Sequence, residues 1–493
     1  MRTKTLELCL VFSLIIALAA AGFPAVEEQA LEDRDVPKLI QGIQSKTLLA
    51  LVQELTSDAY AGRLTGTPEY KACAEWVGSR FESWGIKPAV KPNTYLQAFP
   101  CPYTLVLGPG EVSLVQGKEK KTYAYEKDYF PGSNSAGGRI QAEVVYVGYG
   151  ITAPELGYDD YEGIDVRGKI ILLEREVPVS SDGDPEIFQK WRGYSFHQYK
   201  MKNAAAHGAK GMLQIFLTTN TNTVYIDGFL FSQVAPQVAE DLFAGSGKTT
   251  DETKSVIQKT LRPQSFPTGK ICILENKTEH HAEGVGCNVI GWLEGSDPKL
   301  KNEVIILGGH LDHVGRCHLL MPGANDNASG IAVMMGVAEA LAKSSIKLRR
   351  SVLFIGTGAE EVGCLGSRVY LADPVFPLEK TMAFINLDSV GCGNVLHASA
   401  SENYPEIWRF IKSANDRTVH REIRPSYIKN LGRPRFDASE FMWKGIPSIS
   451  FGASGAPSYS HTTRDTAGTI TPEILSDLAR ILTIAILDMA NQD

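Results

Sequence analysis

The feature that most restricts the fold of this chain is a series of short, β-branched apolar runs in its C-terminal half. Runs of this kind lie at 304–307, 352–355, 383–385 and 448–451, and each is followed by polar residues. Helical patterns such as 330–341 separate them. Such an alternation is typical of a mainly parallel sheet covered by helices on both faces. We therefore predict an α/β fold built on a mainly parallel mixed sheet.

Acidic and imidazole side chains follow these apolar runs. In open α/β sheets the ligand crevice lies outside the carboxyl ends of the strands, so residues at these positions are expected to meet. One further carboxylate stands at the start of the helix that follows the first run. The candidate site residues are His310, Asp312, Asp326, Glu360, Glu361, Asp388 and His461.

Five of these side chains together predict a metal site. The carboxylates of Asp326, Glu361 and Asp388 would repel one another at one sheet edge unless a cation neutralised them. With His310 and His461 they are too many for one tetrahedral zinc, and they suit two zinc ions that share a bridging carboxylate. Neutral imidazole also favours zinc over calcium or magnesium. Each motif alone is weak evidence, but every one of these groups follows a strand or opens a helix.

The stretch 131–275 has a different texture. It contains a strand at 142–150 that glycines close, a second apolar strand at 168–173, an Ala-rich helix at 200–211 and a further strand at 212–216. This order resembles the protease-associated (PA) domain that is inserted in several secreted hydrolases. The resemblance implies a module for interaction or substrate gating that carries no chemistry of its own.

The N-terminal residues 1–25 are typical of a cleavable secretory signal. Arg2 and Lys4 precede an apolar run from Leu8 to Ala21, and small residues follow. That run is shorter than the span of about 20 residues that a bilayer needs. We therefore predict a secreted or periplasmic protein, with an uncleaved N-terminal anchor as the alternative. No other segment of the sequence is apolar enough to predict a membrane span.

Composition restricts the function classes. The chain has 493 residues, of which 43% are hydrophobic and 21% charged, and this excludes a disordered protein. A net charge of −7 without basic runs makes nucleic acid an unexpected partner. Two N-glycosylation patterns occur, at Asn276 and Asn327. Asn276 is the more plausible acceptor, because Asn327 adjoins a predicted metal ligand.

The polar strand ends resemble those of a known family. Between about residues 288 and 468 the chain is similar to the co-catalytic zinc exopeptidases, which include the secreted bacterial aminopeptidases and glutamate carboxypeptidase II. The resemblance implies the zinc exopeptidase fold, with a peptidase domain at 26–130 and 276–493 that a smaller, β-rich PA domain at 131–275 interrupts. The matching motifs are His310-Leu311-Asp312, Gly323-Ala324-Asn325-Asp326, Ala359-Glu360-Glu361, Asn386-Leu387-Asp388 and His461-Thr462-Thr463-Arg464-Asp465-Thr466.

The resemblance also implies how two zinc ions are held. It assigns His310 and Asp388 to one zinc and Glu361 and His461 to the other, while Asp326 bridges both. The two ions would lower the pKa of a shared water and polarise the carbonyl of the bond to be cleaved.

The resemblance gives two further residues a role. Asp312 orients His310 and fixes its tautomer, and Glu360 is the general base that takes a proton from water and delivers it to the leaving amine. One stretch departs from the family pattern, because family members often carry Ser-Asp-His where this chain has Phe436–Phe441. Tyr459 stands two residues before His461 rather than immediately before it, which weakens an oxyanion role for that tyrosine.

The implied function is that of a zinc-dependent aminopeptidase acting on peptides or small proteins with a free N-terminus. A carboxypeptidase of the same family is the alternative. It would need basic side chains for the terminal carboxylate, for which Arg433, Arg435 and Arg464 are candidates. A glutaminyl cyclase-like enzyme with one zinc and a non-catalytic, receptor-like protein are less favoured, because both ligand sets and Glu360 are present.

Overall fold

The computed structural model describes residues 35–429 and 436–493. The predicted signal segment 1–25 lies outside the described residues, and so do Arg433 and Arg435. The chain divides into two compact units, residues 1–42 and residues 43–493. The first unit contains the helix Asp35–Gln41 among its described residues. Everything that follows concerns the second unit.

Helices of this second unit occur along its whole length. The α-helices are Ser45–Leu55, Pro68–Ser83, Pro185–Trp191, His197–Ala206, Pro236–Phe243, Thr250–Thr260, Ser329–Lys343, Leu365–Ala372, Pro405–Arg417, Asp437–Trp443 and Pro472–Asn491.

The strands are numbered here in chain order. They are β1 (Lys87–Pro88), β2 (Leu96–Pro100), β3 (Tyr103–Gln116), β4 (Glu119–Thr122), β5 (Tyr129–Pro131), β6 (Gly138–Tyr146), β7 (Thr152–Ala153), β8 (Tyr158–Asp159), β9 (Ile170–Glu174), β10 (Gly211–Ile215), β11 (Leu230–Val234), β12 (Phe266–His281), β13 (Val285–Leu293), β14 (Val304–His310), β15 (Arg316–Cys317), β16 (Leu319–Leu320), β17 (Ser351–Thr357), β18 (Thr381–Leu387), β19 (Val395–Ser399), β20 (Ile423–Pro425) and β21 (Ser448–Ser454).

The first sheet confirms the predicted α/β fold. Its order is β1-β13-β17-β14-β18-β21-β19-β20, and β2 also pairs with β13. The four central strands β17, β14, β18 and β21 are parallel to one another, and the antiparallel strands β13 and β19 flank them. The sheet is therefore mixed with a parallel centre, as the separated apolar runs predict.

Helices cover both faces of this sheet. Ile306 and Leu353 point to the face on which the helices Leu365–Ala372 and Asp437–Trp443 pack. On the opposite face Phe354 lies 6.2 Å, ring centre to ring centre, from Phe81 of the helix Pro68–Ser83. Strands buried on both faces do not alternate polar and apolar residues, which is why β14 is apolar over 304–307 and β17 over 352–355.

A second sheet contains the residues of the predicted insert and more. Its order is β16-β15-β3-β12-β6-β9-β10-β11-β5, with β4 paired to β3. The long strands β3 and β12 pair antiparallel; β3 lies wholly before residue 131, and β12 continues past residue 275. The domain boundaries and the PA assignment stay predictions, and we call residues 103–281 the insert from here on. No helix among the described residues is long and apolar enough to cross a membrane.

The insert contains a buried pair of opposite charges. Lys200 is fully buried and its ammonium donates to the backbone carbonyls of Tyr149, Glu174 and Glu176. The carboxylate of Asp160 accepts from the backbone N–H of Tyr149 at 3.0 Å. Burial lowers the pKa of Lys200 to about 7 and raises the pKa of Asp160 to about 7. Together the two side chains connect β9 to the loop that follows β6.

One sequence prediction is wrong in this region. The side-chain amide of Asn276 is buried and donates to the Ser135 hydroxyl at 2.8 Å and to the Phe231 carbonyl at 2.7 Å. A glycan on that nitrogen would replace one of its two hydrogens, so it would remove at least one of these hydrogen bonds, and it would have to pass through the sheet. Asn276 is therefore not a glycosylation site in this fold.

Candidate metal centre

Three parallel strands end at one edge of the first sheet and deliver their polar residues there. β14 ends at His310, β17 ends three residues before Glu360, and β18 ends immediately before Asp388. β14 runs very close to β18 at this edge, because a Cβ on Gly309 would lie 2.2 Å from the Leu387 carbonyl oxygen. Only glycine permits this approach, so the Gly308-Gly309-His310 sequence places the imidazole directly beside Asp388.

The side chains form two groups of possible metal donors that share one residue. His310, Asp326 and Asp388 form one group; His313, Asp326, Glu361 and His461 form the other. Within each group the donor atoms all lie within 4.8 Å of one another. The structure thus brings together all five predicted ligands, and it adds one residue that sequence reasoning missed, His313.

Asp326 lies between the two groups. Its Oδ1 is 3.3 Å from His310 Nε2, and its Oδ2 is 3.3 Å from His461 Nε2. His310 Nε2 is also 3.7 Å from Asp388 Oδ1, and His461 Nε2 is 2.9 Å from Glu361 Oε2. Each oxygen of Asp326 therefore faces a different imidazole, which is the geometry that a bridging carboxylate requires.

Two buried polar side chains hold the loops that carry these donors. The Asp465 carboxylate accepts from the backbone N–H of Asn325 at 2.8 Å and of Asp326 at 3.0 Å. The Asn327 amide donates to the carbonyls of His310 at 3.2 Å and Leu387 at 2.8 Å. Asp465 belongs to the family motif at 461–466, but only the structure shows that its carboxylate holds the backbone of Asn325 and Asp326.

The Asp312 carboxylate holds the loop that bears the glutamate pair. It accepts from the backbone N–H of Glu360 at 3.1 Å and of Glu361 at 3.3 Å. His310 Nδ1 lies 3.1 Å from the Asp312 backbone carbonyl, whereas it is 3.7 Å from the nearest carboxylate oxygen. The hydrogen bond that fixes the His310 tautomer thus goes to the Asp312 carbonyl rather than to its side chain.

The insert reaches this centre through its backbone. The Thr219 carbonyl, which follows β10, accepts a hydrogen bond from His461 Nδ1. That contact directs Nε2 of the same ring toward Asp326 and Glu361. Metal-binding histidines commonly donate their second ring N–H to a carbonyl in this way, and the bond fixes the ring orientation.

The backbone around the centre is strained. Ala359, Ser389 and His461 have φ values of 58°, 57° and 57°, in the left-handed region that side chains with a Cβ seldom adopt. Each is a candidate metal donor or lies within two residues of one. Strain of this kind costs on the order of 1–3 kcal/mol per residue and persists where the surrounding contacts impose it.

The two adjacent glutamates have opposite electrostatic environments. Burial raises the pKa of Glu360 well above its ordinary value. Burial acts in the same direction on Glu361, but the neighbouring His461 outweighs it and holds the pKa of Glu361 at about 2. Opposite shifts in neighbouring carboxyls indicate different chemical roles.

The neighbouring carboxylates raise the pKa of two imidazoles in the centre, His310 and His461. Burial alone would lower the pKa of His310 and of His461, but the carboxylates around them raise both well above the ordinary value. Burial opposes ionisation of Asp326, yet its hydrogen bonds to these two rings hold its pKa well below the usual range. A metal must displace the imidazolium protons, so metal affinity is expected to fall as the pH is lowered.

A cleft of about 950 Å³ opens onto this centre between the insert and the first sheet. Its wall on the side of the centre includes Glu360, Trp443 and His461, and its opposite wall includes Arg192 and Lys202 of the insert. The Arg192 guanidinium lies 4.7 Å from the ring centre of Trp443, so the two walls touch at one end. The cleft can take a small peptide.

The fold of this chain is similar to the solved structures of two aminopeptidases. An aminopeptidase from Aneurinibacillus sp. strain AM-1 matches with a TM-score of 0.64 and 23% identity, over 92% of this chain and 96% of that one. A zinc aminopeptidase from Bacillus subtilis matches with a TM-score of 0.59 and 20% identity, over 91% and 95%. At these identities the two structures show that this chain shares their fold.

Residues 288–485 match the model of peptidase family M28. The family resemblance seen in the sequence is confirmed at this level. An aminopeptidase of Pseudomonas aeruginosa is 27% identical over 365 residues, which cover 73% of this chain and 59% of that protein. The chain thus spans about three-fifths of the length of that relative.

Proposed function

We propose that this protein is a zinc-dependent aminopeptidase that releases N-terminal amino acids from peptides. The observation that carries the proposal is the pair of donor groups joined through Asp326, with Glu360 beside them and outside both groups. Relatives and structures that are named aminopeptidases support the same activity.

The donor set fits two zinc ions. Imidazole nitrogens and carboxylate oxygens suit zinc, and the two groups hold three carboxylates in a buried place that a cation would neutralise. In this proposal His310 and Asp388 hold one ion, Glu361 and His461 hold the other, and Asp326 bridges them. When bound, the ions supply Lewis acidity toward the peptide carbonyl and lower the pKa of water.

The protein supplies the proton transfer and the orientation. Glu360 lies in the cleft next to the centre, and its raised pKa suits a group that first accepts a proton and then donates it to the leaving amine. Asp312 keeps Glu360 in place by accepting from its backbone N–H. The two walls of the cleft exclude bulk water from one side of the substrate.

A carboxypeptidase is the second candidate. Arg192, Lys202 and Arg368 line the same cleft and could bind the terminal carboxylate of a peptide. Arg464, the one described residue of the three that the sequence offered for this task, is exposed and lies 4.2 Å above the Tyr459 ring. It is absent from the cleft lining that the described residues form.

The test combines metal analysis with three substrates. Aminoacyl anilides with a free amine are compared with N-blocked anilides and with N-blocked peptides that end in glutamate. Two zinc ions per chain and activity only on free amines are expected. One zinc with cyclisation of N-terminal glutamine, or cleavage of the blocked peptides, would contradict the proposal.

Glu360→Gln tests the proton carrier within this scheme. The variant should keep both zinc ions, because Glu360 belongs to neither donor group, and lose at least about 10²-fold in kcat. Glu402→Gln, the same substitution at an exposed glutamate, is the matched control and should keep the wild-type kcat. Full activity of Glu360→Gln would show that another group carries the proton.

The remaining parts of the proposal concern location and organisation. We propose export from the cytoplasm on the basis of residues 1–25, and a PA-like role for the insert as one wall of the substrate cleft. Mass spectrometry of the N-terminus of protein recovered from the culture medium or the periplasm tests the first point. An intact Met1 on the mature protein would contradict it.

A further inference from the structure

His313 has no role in the scheme above, yet it lies inside the centre. Its side chain is fully buried, and its Nδ1 is 2.9 Å from Glu361 Oε1 and 4.0 Å from Asp326 Oδ2. Its ring stands edge-on to the ring of His461, with 5.3 Å between ring centres. A third imidazole at this place is either a further metal ligand or a group that positions one.

The ring is held rigidly from two sides. The backbone N–H of His313 donates to the Arg63 carbonyl at 3.1 Å, which fixes the start of the side chain. The ring lies flat against Gly323, where an added Cβ would be 2.5 Å from the ring carbons Cγ and Cδ2. Gly323 permits this contact because it has no Cβ, and its φ of +63° also favours glycine. The ring therefore has little freedom to turn toward another partner.

The hydrogen-bond pattern distinguishes the two roles. Glu361 presents Oε1 to His313 and Oε2 to His461 Nε2, at 2.9 Å each. A hydrogen bond donated by His313 Nδ1 would occupy Oε1 of Glu361. Oε2 of Glu361 would then remain directed at a zinc ion between Glu361 and His461. Nε2 of His313 is buried and has no hydrogen-bond partner among the described residues, which fits a neutral ring with its proton on Nδ1.

The number of protein ligands that a catalytic zinc takes also favours a positioning role for His313. With Asp326, Glu361 and His461 already directed at one position, His313 would be a fourth protein donor. Four protein donors close a tetrahedral zinc, as in structural sites, whereas a catalytic zinc keeps a position open for water or substrate. Because this site opens onto the cleft, three protein donors and one open position fit it better than four protein donors.

We propose that His313 is a positioning residue: it donates from Nδ1 to Glu361 Oε1 and so fixes the carboxylate that binds one of the two zinc ions. This rests on the proposed function in assuming zinc between Glu361 and His461. Hydrogen-bonding partners of metal ligands typically contribute 10- to 100-fold to metal affinity or activity.

The test uses two substitutions with opposite expectations. His313→Asn places an amide N–H near the position of Nδ1, and His313→Phe keeps the ring and its packing against Gly323 but lacks a donor. Zinc affinity is measured by competition with a chromophoric chelator. We expect one of the two zinc ions to bind 10- to 100-fold more weakly in the Phe variant and within about threefold of wild type in the Asn variant.

X-ray absorption at the zinc edge decides between positioning and ligation. It should count the same number of imidazoles per zinc in wild type and in His313→Asn. Loss of an imidazole in the Asn variant would make His313 a ligand, and unchanged zinc affinity in the Phe variant would remove its positioning role; either overturns the proposal. His318→Asn, at an exposed histidine five residues away, is the control and should leave affinity unchanged.

Failure of the broader proposal has a different signature. A wild-type protein that binds no zinc refutes the proposed function and this inference together. A wild-type protein that binds two zinc ions and cleaves aminoacyl anilides, beside a Phe variant with normal affinity, refutes this inference alone. Should the Phe variant fail to fold, His313→Ala, which also lacks a donor, takes its place in the comparison of zinc affinities.

Discussion

The buried side chain of Arg63 offers the sharpest test of how the loops of the centre are held. Its guanidinium is fully buried and donates to four backbone carbonyls: Leu55 at 2.8 Å, Leu311 at 2.8 Å, Pro322 at 2.9 Å and Gly323 at 2.7 Å. Leu311 follows His310, and Gly323 opens the loop to Asp326. One cation thus connects the segments that carry both donor groups.

Replacement by methionine, which is apolar and of similar length, removes all four donors. Each carbonyl left buried without a partner costs roughly 1–3 kcal/mol. Burial lowers the pKa of Arg63, which means that the folded state stabilises the charge less well than water does, and relief from burying it offsets several kcal/mol. We expect Arg63→Met to lower the free energy of unfolding by about 4 kcal/mol.

The assay is urea unfolding with excess chelator, followed by zinc titration of the folded variant. Chelation separates the stability of the loops from any contribution of bound metal. Arg80→Met, at an exposed arginine of the helix Pro68–Ser83, is the control and should stay within about 0.5 kcal/mol of wild type. A loss below about 1 kcal/mol in Arg63→Met would refute the reasoning that these four bonds hold the loops together.

Three further predictions concern other buried groups. Asp465→Asn keeps one acceptor oxygen for two N–H donors, so we expect about tenfold weaker zinc binding by chelator competition, and unchanged binding would contradict the loop-holding role. Lys200→Met leaves three carbonyls unpaired and Asp160 without its cation, so limited proteolysis should cleave the insert faster than in wild type; equal rates would be the contrary result. Burial lowers the pKa of His197 to about 4, below its unfolded value near 6.5, so protons favour the unfolded chain between those values. Stability should therefore fall as the pH drops from 6.5 to 4, and His197→Gln should reduce that slope; a slope equal to that of wild type would contradict the assignment.

Much of the site was predictable because its signals are local. A strand followed by a polar residue is visible in a few consecutive positions, and the carboxyl ends of parallel strands meet by the geometry of the fold. His310, Asp388 and the pair at Glu360 and Glu361 were found in this way. Asp326, at the start of a helix, and His461, beyond the run 448–451, were found from the same order of elements.

The insert boundaries show where local signals end. The segment from Thr104 to Phe130 has a β pattern, but nothing in the pattern states which sheet its strands join. In the structure β3 pairs with β12, across more than 150 residues of chain, and so belongs to the second sheet. Asn276 was misjudged for a related reason, because a polar residue in a glycosylation pattern does not reveal that its amide is hydrogen-bonded inside a sheet.

The sequence by itself therefore determined the α/β class, the family resemblance and the five candidate ligands, because hydrophobic periodicity and residue order are local properties. Only the tertiary structure decided what holds those ligands. The Thr219 carbonyl meets His461 across 242 positions, and Asp465 meets the Asp326 backbone across 139. Such contacts depend on how distant loops pack and leave no periodic signal in the chain. That is also why His313, which stands three residues after a recognised ligand, was found only when its ring was seen against Glu361.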